Sequence, residues 1–131
     1  SKRCEMNNYL DKLTAADLFL DTFPVNAHTT ASDALWVGLP IITVSGKSLV
    51  SRVAGSLLSS ISVPELITYN YTDYKNLAVK LSTDREFYNK IKLKINNNKK
   101  TKPLFNTKKF TKNLENIYWQ LFTNFKNKNG I

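Results

Sequence analysis

Two kinds of apolar pattern alternate along this chain. Short apolar runs are separated by stretches in which apolar residues recur every three or four positions. The first pattern predicts buried strands and the second predicts amphipathic helices. Leu18, Phe19 and Leu20 form one short run, closed by Asp21 and Thr22, which suits a strand covered on both faces. Pro24 disfavours helix at Phe23. A helical run follows the Thr29–Thr30 doublet, from Ala31 to Val37, and Gly38 with Pro40 ends it. Residues 40–44 (PIITV) are dense in β-branched side chains and predict a second strand buried on both faces.

The remaining elements follow the same logic. Residues 6–16 predict a short helix with Leu10, Leu13 and Met6 on its apolar stripe. Residues 49–58 predict a helix in which Ala54 and Gly55 allow close packing, and Leu66-Ile67 ends a last strand. Thr72 is the expected N-cap of a helix carrying Tyr74, Leu77, Ala78 and Leu81 at helical spacing. Thr83-Asp84 opens another, with Tyr88, Ile91 and Ile95 inward. Residues 96–103 (NNNKKTKP) predict a polar loop. Thr107 is the expected cap of a last helix, where Phe110, Leu114, Ile117, Leu121 and Phe125 keep one face, widened by Trp119 and Phe122. Such a face needs a partner surface.

The order is helix–strand–helix–strand–helix–strand–helices. It predicts an α/β fold, a short parallel sheet flanked by helices with a helical C-terminus. Three short strands make a thin sheet, so the chain is expected to be part of a larger Rossmann-like domain. It is read as a single domain over 1–131, with an αβ core over 1–70 and a helical segment over 71–131.

Composition narrows the class. Hydrophobic residues make up 42% of the 131 residues, enough for a core and against disorder. One cysteine, Cys4, excludes an internal disulfide and fits a reducing, cytoplasmic setting. No apolar run reaches membrane-spanning length, and no signal-peptide core opens the chain. It begins at Ser1 rather than Met and is expected to be an excerpt. The formal net charge of +9 is uneven: residues 1–84 carry seven Lys/Arg against eight Asp/Glu, while residues 85–131 carry twelve against two. A basic half suggests an acidic partner such as RNA or an anionic surface. The lysines lie among asparagines and helix formers, however, which favours a solvated face. The aromatics there (Phe87, Tyr88, Phe105, Phe110, Tyr118, Trp119) fall on apolar stripes, so packing is favoured over base stacking.

The candidate chemistry lies where residues 18–20 deliver a polar loop to the next helix. A helix N-terminus offers unpaired N–H groups and the positive end of the macrodipole, which suits an anion such as phosphate. His28 can donate to a phosphate oxygen, Thr29 and Thr30 add hydroxyls, and Asp33 can accept from a ribose. The plain alternative is that Thr29 or Thr30 only caps the helix. Ser45-Gly46-Lys47-Ser48 follows a strand but is not a Walker A loop, because Ile41 stands where that motif needs glycine. His28 is the only histidine, with no cysteine pair or second histidine for a metal. No serine sits at a nucleophile elbow.

The segments ADLFLDTFPVNAHTTASDALWVGLPIIT, SRVAGSLL and PLFNTKKF occur in this order. Together they resemble the C-terminal catalytic lobe of the O-linked N-acetylglucosamine transferase family. These are Spindly-like GT-B glycosyltransferases, often with tetratricopeptide repeats at the N-terminus. The similarity runs from about Tyr9 to Phe122.

The resemblance implies a UDP-sugar site. His28, Thr29 and Thr30 match the family's His-Thr-Thr, which holds the pyrophosphate, and Asp33 matches a ribose ligand. Asn26 belongs to the same motif. Tyr9 stands where many members have a histidine that stacks on uracil, and a tyrosine ring can also stack. Lys12 keeps a cation near the nucleotide. The implied reaction transfers N-acetylglucosamine or another hexose from a UDP-sugar to a protein Ser/Thr, with no metal or other cofactor. No catalytic base is assignable within the chain, so this piece alone is expected to bind UDP and not to catalyse. The implied partners are the UDP-sugar, an acceptor protein, the N-terminal GT-B lobe and the repeats. The alternative is a non-catalytic basic module for RNA or anionic surfaces.

Overall fold

A computed structural model describes residues 5–129, and Cys4 lies outside them. Three parallel strands are joined by helices: α1 (Met6–Thr14), β1 (Phe19–Leu20), α2 (Thr29–Val37), β2 (Ile41–Val44), α3 (Val53–Ser60) and β3 (Ile67–Thr68). Three helices follow, α4 (Tyr71–Thr83), α5 (Arg85–Thr101) and α6 (Thr107–Asn129). The strand order is β1-β2-β3, with Phe19 opposite Ile41 and Thr43 opposite Ile67.

The central strand organises the core. All four residues of β2 are buried, as a β-branched run flanked on both sides should be. Ile41 and Ile42 join Leu35 of α2, Leu58 of α3, Leu81 of α4 and Ile91 and Ile95 of α5 in one apolar cluster. The helical segment therefore shares its core with the strands. Gly38 ends α2 with φ +86°, and Leu39 N–H returns to Ala34 O at 2.9 Å. A Cβ at Gly38 would also lie 2.5 Å from Asn96 Oδ1 of α5, a side-chain end that could shift, so it is the left-handed φ that calls for glycine here.

Several sequence expectations are corrected. β1 is not covered on both faces: Phe19 is half-buried and Leu20 is 56% exposed, because β1 is an edge strand paired with β2 alone among the described residues. Met6 is exposed, leaving Leu10 and Leu13 as the inward residues of α1. A single turn of 3-10 helix, Leu49–Ser51, precedes α3. Asn70, not Thr72, caps α4, its Oδ1 accepting Asp73 N–H at 2.8 Å. Asn106, not Thr107, caps α6 through Lys109 N–H at 2.9 Å.

The polar loop expected over 96–103 is mostly helix, since α5 runs to Thr101. Tertiary bonds hold those two turns. Asn98 Nδ2 donates to Ile61 O at 2.8 Å, and Lys99 Nζ donates to Trp36 O at 2.9 Å. Partial burial, then the neighbouring Lys100, hold the Lys99 ammonium below the usual lysine range. The stripe of α6 is as regular as expected, but apart from the half-buried Leu114 its large side chains are exposed, including Phe110, Tyr118 and Trp119, whose packing the sequence favoured. No described helix is long and apolar enough to cross a membrane.

Candidate functional site

The loop between β1 and α2 is built around one buried carboxylate. Asp21 sits at the carboxyl end of β1 and is 6% exposed. Its Oδ1 accepts the N–H groups of Thr22 at 2.9 Å and Ala27 at 2.7 Å, and its Oδ2 accepts Thr43 Oγ1 at 2.7 Å. Tyr74 of α4 donates its hydroxyl to Asp21 O at 2.9 Å. Burial, then the charge of Asp21, then Tyr71, push the Tyr74 phenol above its ordinary range. Sequence reasoning gave Asp21 only the role of ending a strand. The signal available was an acidic residue at the carboxyl end of a strand, next to a loop that must be held.

Asn26 shares the task of fixing this loop. It is 3% exposed, and its Nδ2 donates to Thr22 O at 3.0 Å and Val44 O at 3.5 Å. Its backbone N–H reaches Val50 O at 2.9 Å, tying this loop to the one after β2. Asn26 Oδ1 is the one buried side-chain polar atom without a partner among the described residues. The loop also contains a cis Phe23–Pro24 bond.

This framework delivers an open helix end. His28 occupies the cap position of α2 and makes no side-chain cap bond. The first helical bond is Ser32 N–H to His28 O at 3.1 Å. Among the described residues no acceptor takes the N–H of Thr29 or Thr30, and neither threonine hydroxyl is engaged. The structure thus overturns the plain capping alternative for the doublet: both threonines lie inside the first turn. His28, Thr29 and Thr30 are all exposed. Donors at a helix N-terminus, facing solvent and uncapped, suit an oxyanion.

The other candidates lie on α1 and further along α2. Asp33 lies one turn further along α2 and is half-buried. Tyr9, half-buried, and Lys12, exposed, belong to α1, which packs against α2. Lys12 makes no ion pair among the described residues, and no hydrogen bond joins it to residues 28–30 there. The residues named from sequence therefore fall on α1, α2 and the loop between β1 and α2, with Asn26 beneath the surface.

The model of Glycosyl transferase family 41 matches residues 5–114. The chain belongs to that family. Among family 41 relatives, a UDP-N-acetylglucosamine–peptide N-acetylglucosaminyltransferase of Caenorhabditis elegans is 36% identical over 84% of this chain and 10% of the relative. The probable enzyme SEC of Arabidopsis thaliana is 32% identical over 88% of this chain and 12% of the relative. A mutant O-GlcNAc transferase of Thermobaculum terrenum superposes with a TM-score of 0.82 at 26% identity, covering 88% of this chain and 22% of that one. The expected α/β lobe of a GT-B glycosyltransferase is therefore the fold observed. The chain spans about a tenth of the length of these curated family 41 relatives.

Proposed function

We propose that this lobe is the donor-binding part of a UDP-sugar-dependent transferase that moves N-acetylglucosamine or a related hexose to protein Ser/Thr hydroxyls. The observation that carries the reading is the exposed, uncapped start of α2 at His28–Thr30, in a chain of family 41. The pyrophosphate takes the N–H groups and hydroxyls of Thr29 and Thr30, with His28 donating to an oxygen. Asp33 accepts from the ribose. Tyr9 stacks on uracil, and Lys12 adds a positive charge nearby. Asn26 supports the loop that carries these groups.

Negative charge grows on the leaving UDP as the glycosidic bond breaks. Fixed donors at a helix end stabilise that charge without reorganising, which is the effective form of electrostatic catalysis. In this proposal protein groups supply that stabilisation, with no metal or cofactor. The acceptor protein, the N-terminal GT-B lobe, tetratricopeptide repeats and a cytoplasmic setting belong to the same proposal. A basic module for RNA or anionic surfaces is not favoured by the relatives found.

Calorimetric titration of the chain with UDP tests it. Thr29→Ala combined with Thr30→Ala should weaken UDP binding by about tenfold, the loss of one to two hydrogen bonds to a charged group. Unchanged affinity in the double variant would overturn the assignment.

A further inference from the structure

A groove among the described residues lies away from the start of α2. It lies at the carboxyl ends of β2 and β3 and has a volume of about 820 Å³. Two sequence motifs that the donor reading leaves unused line it: Ser45-Gly46-Lys47, and Arg52, Val53, Gly55, Ser56 and Leu57 of SRVAGSLL. Crevices outside the carboxyl ends of parallel strands are where open α/β sheets take ligands.

Its chemistry is one-sided. Lys47 and Arg52 are the only Lys/Arg residues between positions 13 and 74, a stretch with five Asp/Glu. Both line this groove, and no Asp or Glu does. Both are exposed and make no ion pair among the described residues. Val53 and Ile67 add aliphatic lining, and Leu49, 83% exposed, and Tyr69, 75% exposed, also line the groove.

We propose that this groove binds an extended peptide segment bearing acidic side chains beside an aliphatic one. The volume exceeds what a single anion needs, and a lining that combines two cations with aliphatic side chains fits a segment bearing both carboxylates and apolar side chains. Nucleic acid fits less well, since it calls for several phosphate contacts and a run of aromatic platforms. The groove adjoins the donor loop. Asn26 N–H meets Val50 O at 2.9 Å, and a Cβ at Gly46 would lie 2.9 Å from the Phe23 ring, so the two loops touch. An acceptor segment held there lies on the same edge of the sheet as the donor, and that acceptor role, though not the binding itself, rests on the transferase reading.

The test is fluorescence anisotropy of the chain with three labelled peptides: one of Glu, Val and Ser, its Lys-for-Glu counterpart and a neutral one. UDP is titrated in parallel. The acidic peptide should bind at least about tenfold tighter than the basic one, with affinity falling as salt rises. Lys47→Gln with Arg52→Gln should weaken it about tenfold while UDP affinity and the circular dichroism melt stay unchanged. Leu49→Ser, at an exposed position, should weaken it severalfold at unaltered charge. Equal affinity for the three peptides, no binding of the acidic one, or an indifferent double variant would overturn the proposal. So would a dimer of this chain that the double variant dissolves. Peptide binding without UDP binding leaves the groove standing and removes the donor reading.

Discussion

Helices α5 and α6 carry almost the same pattern and meet opposite fates. Each is rich in lysine and repeats apolar residues at helical spacing. In α5, Tyr88, Ile91 and Ile95 are buried against α2 and the rest of the core. In α6, Ile117, Leu121 and Phe125 are exposed. The difference is not written in the helices themselves. It depends on whether the rest of the chain supplies a surface, and only α5 has one among the described residues. Periodicity announces a helix and a face, and packing is then decided elsewhere.

The largest effect should come from the buried stripe. Ile95→Ala removes a side chain with no solvent exposure and should cost about 2–5 kcal/mol in urea unfolding. Asp21→Ala should follow, at about 1–3 kcal/mol, because Thr22 and Ala27 N–H and the Thr43 hydroxyl lose their acceptor. The same variant should weaken UDP binding by disordering the loop.

Tyr74→Phe should cost about 1 kcal/mol at neutral pH, the net worth of one hydrogen bond. Its pH dependence is more telling. Folding raises the Tyr74 pKa, so the folded chain holds that proton to higher pH than the unfolded chain does. The resulting stability is whole below about pH 10 and is lost as pH rises through the raised value. Thermal melts of the parent should therefore fall more steeply on the alkaline side than those of Tyr74→Phe. The smallest effect belongs to α6: Ile117→Ala should change unfolding by less than about 0.5 kcal/mol. A cost matching that of Ile95→Ala would break the contrast between the two helices.

Much of the framework was legible before any coordinates. The run PIITV announced a strand buried on both sides, and Gly38 with Pro40 announced the end of α2. The order of elements implied a parallel sheet. What stayed hidden depended on distant partners. Residues 96–101 look like loop because asparagine and lysine are weak signals, yet Ile61 O and Trp36 O bind Asn98 and Lys99 into helix. Capping by Asn70 and Asn106 is hard to read from sequence because a threonine, an equally good cap former, stands close after each.

The site was legible in part for a similar reason. On local physics alone the doublet Thr29-Thr30 before a helical run left two readings open, a helix cap or an anion seat, and only the position of His28 as the cap residue separates them. Asp21 was not legible, since its bonds to Ala27 and Thr43 span different elements. Nor was the groove at Lys47 and Arg52, because two cations five residues apart acquire meaning only when the ends of two strands bring them into one lining with Val53 and Ile67.

The glycine at the back of α2 reaches further than its own turn. With nine residues, that helix is a rod about 14 Å long. Its rear is wedged against Asn96 and leashed to Lys99, while its front leans on a loop clamped by an aspartate. A rod tethered at both extremities by separate elements joins the α5 side of the fold to the loop that starts it, so Gly38→Ala, strained at φ +86°, should loosen both.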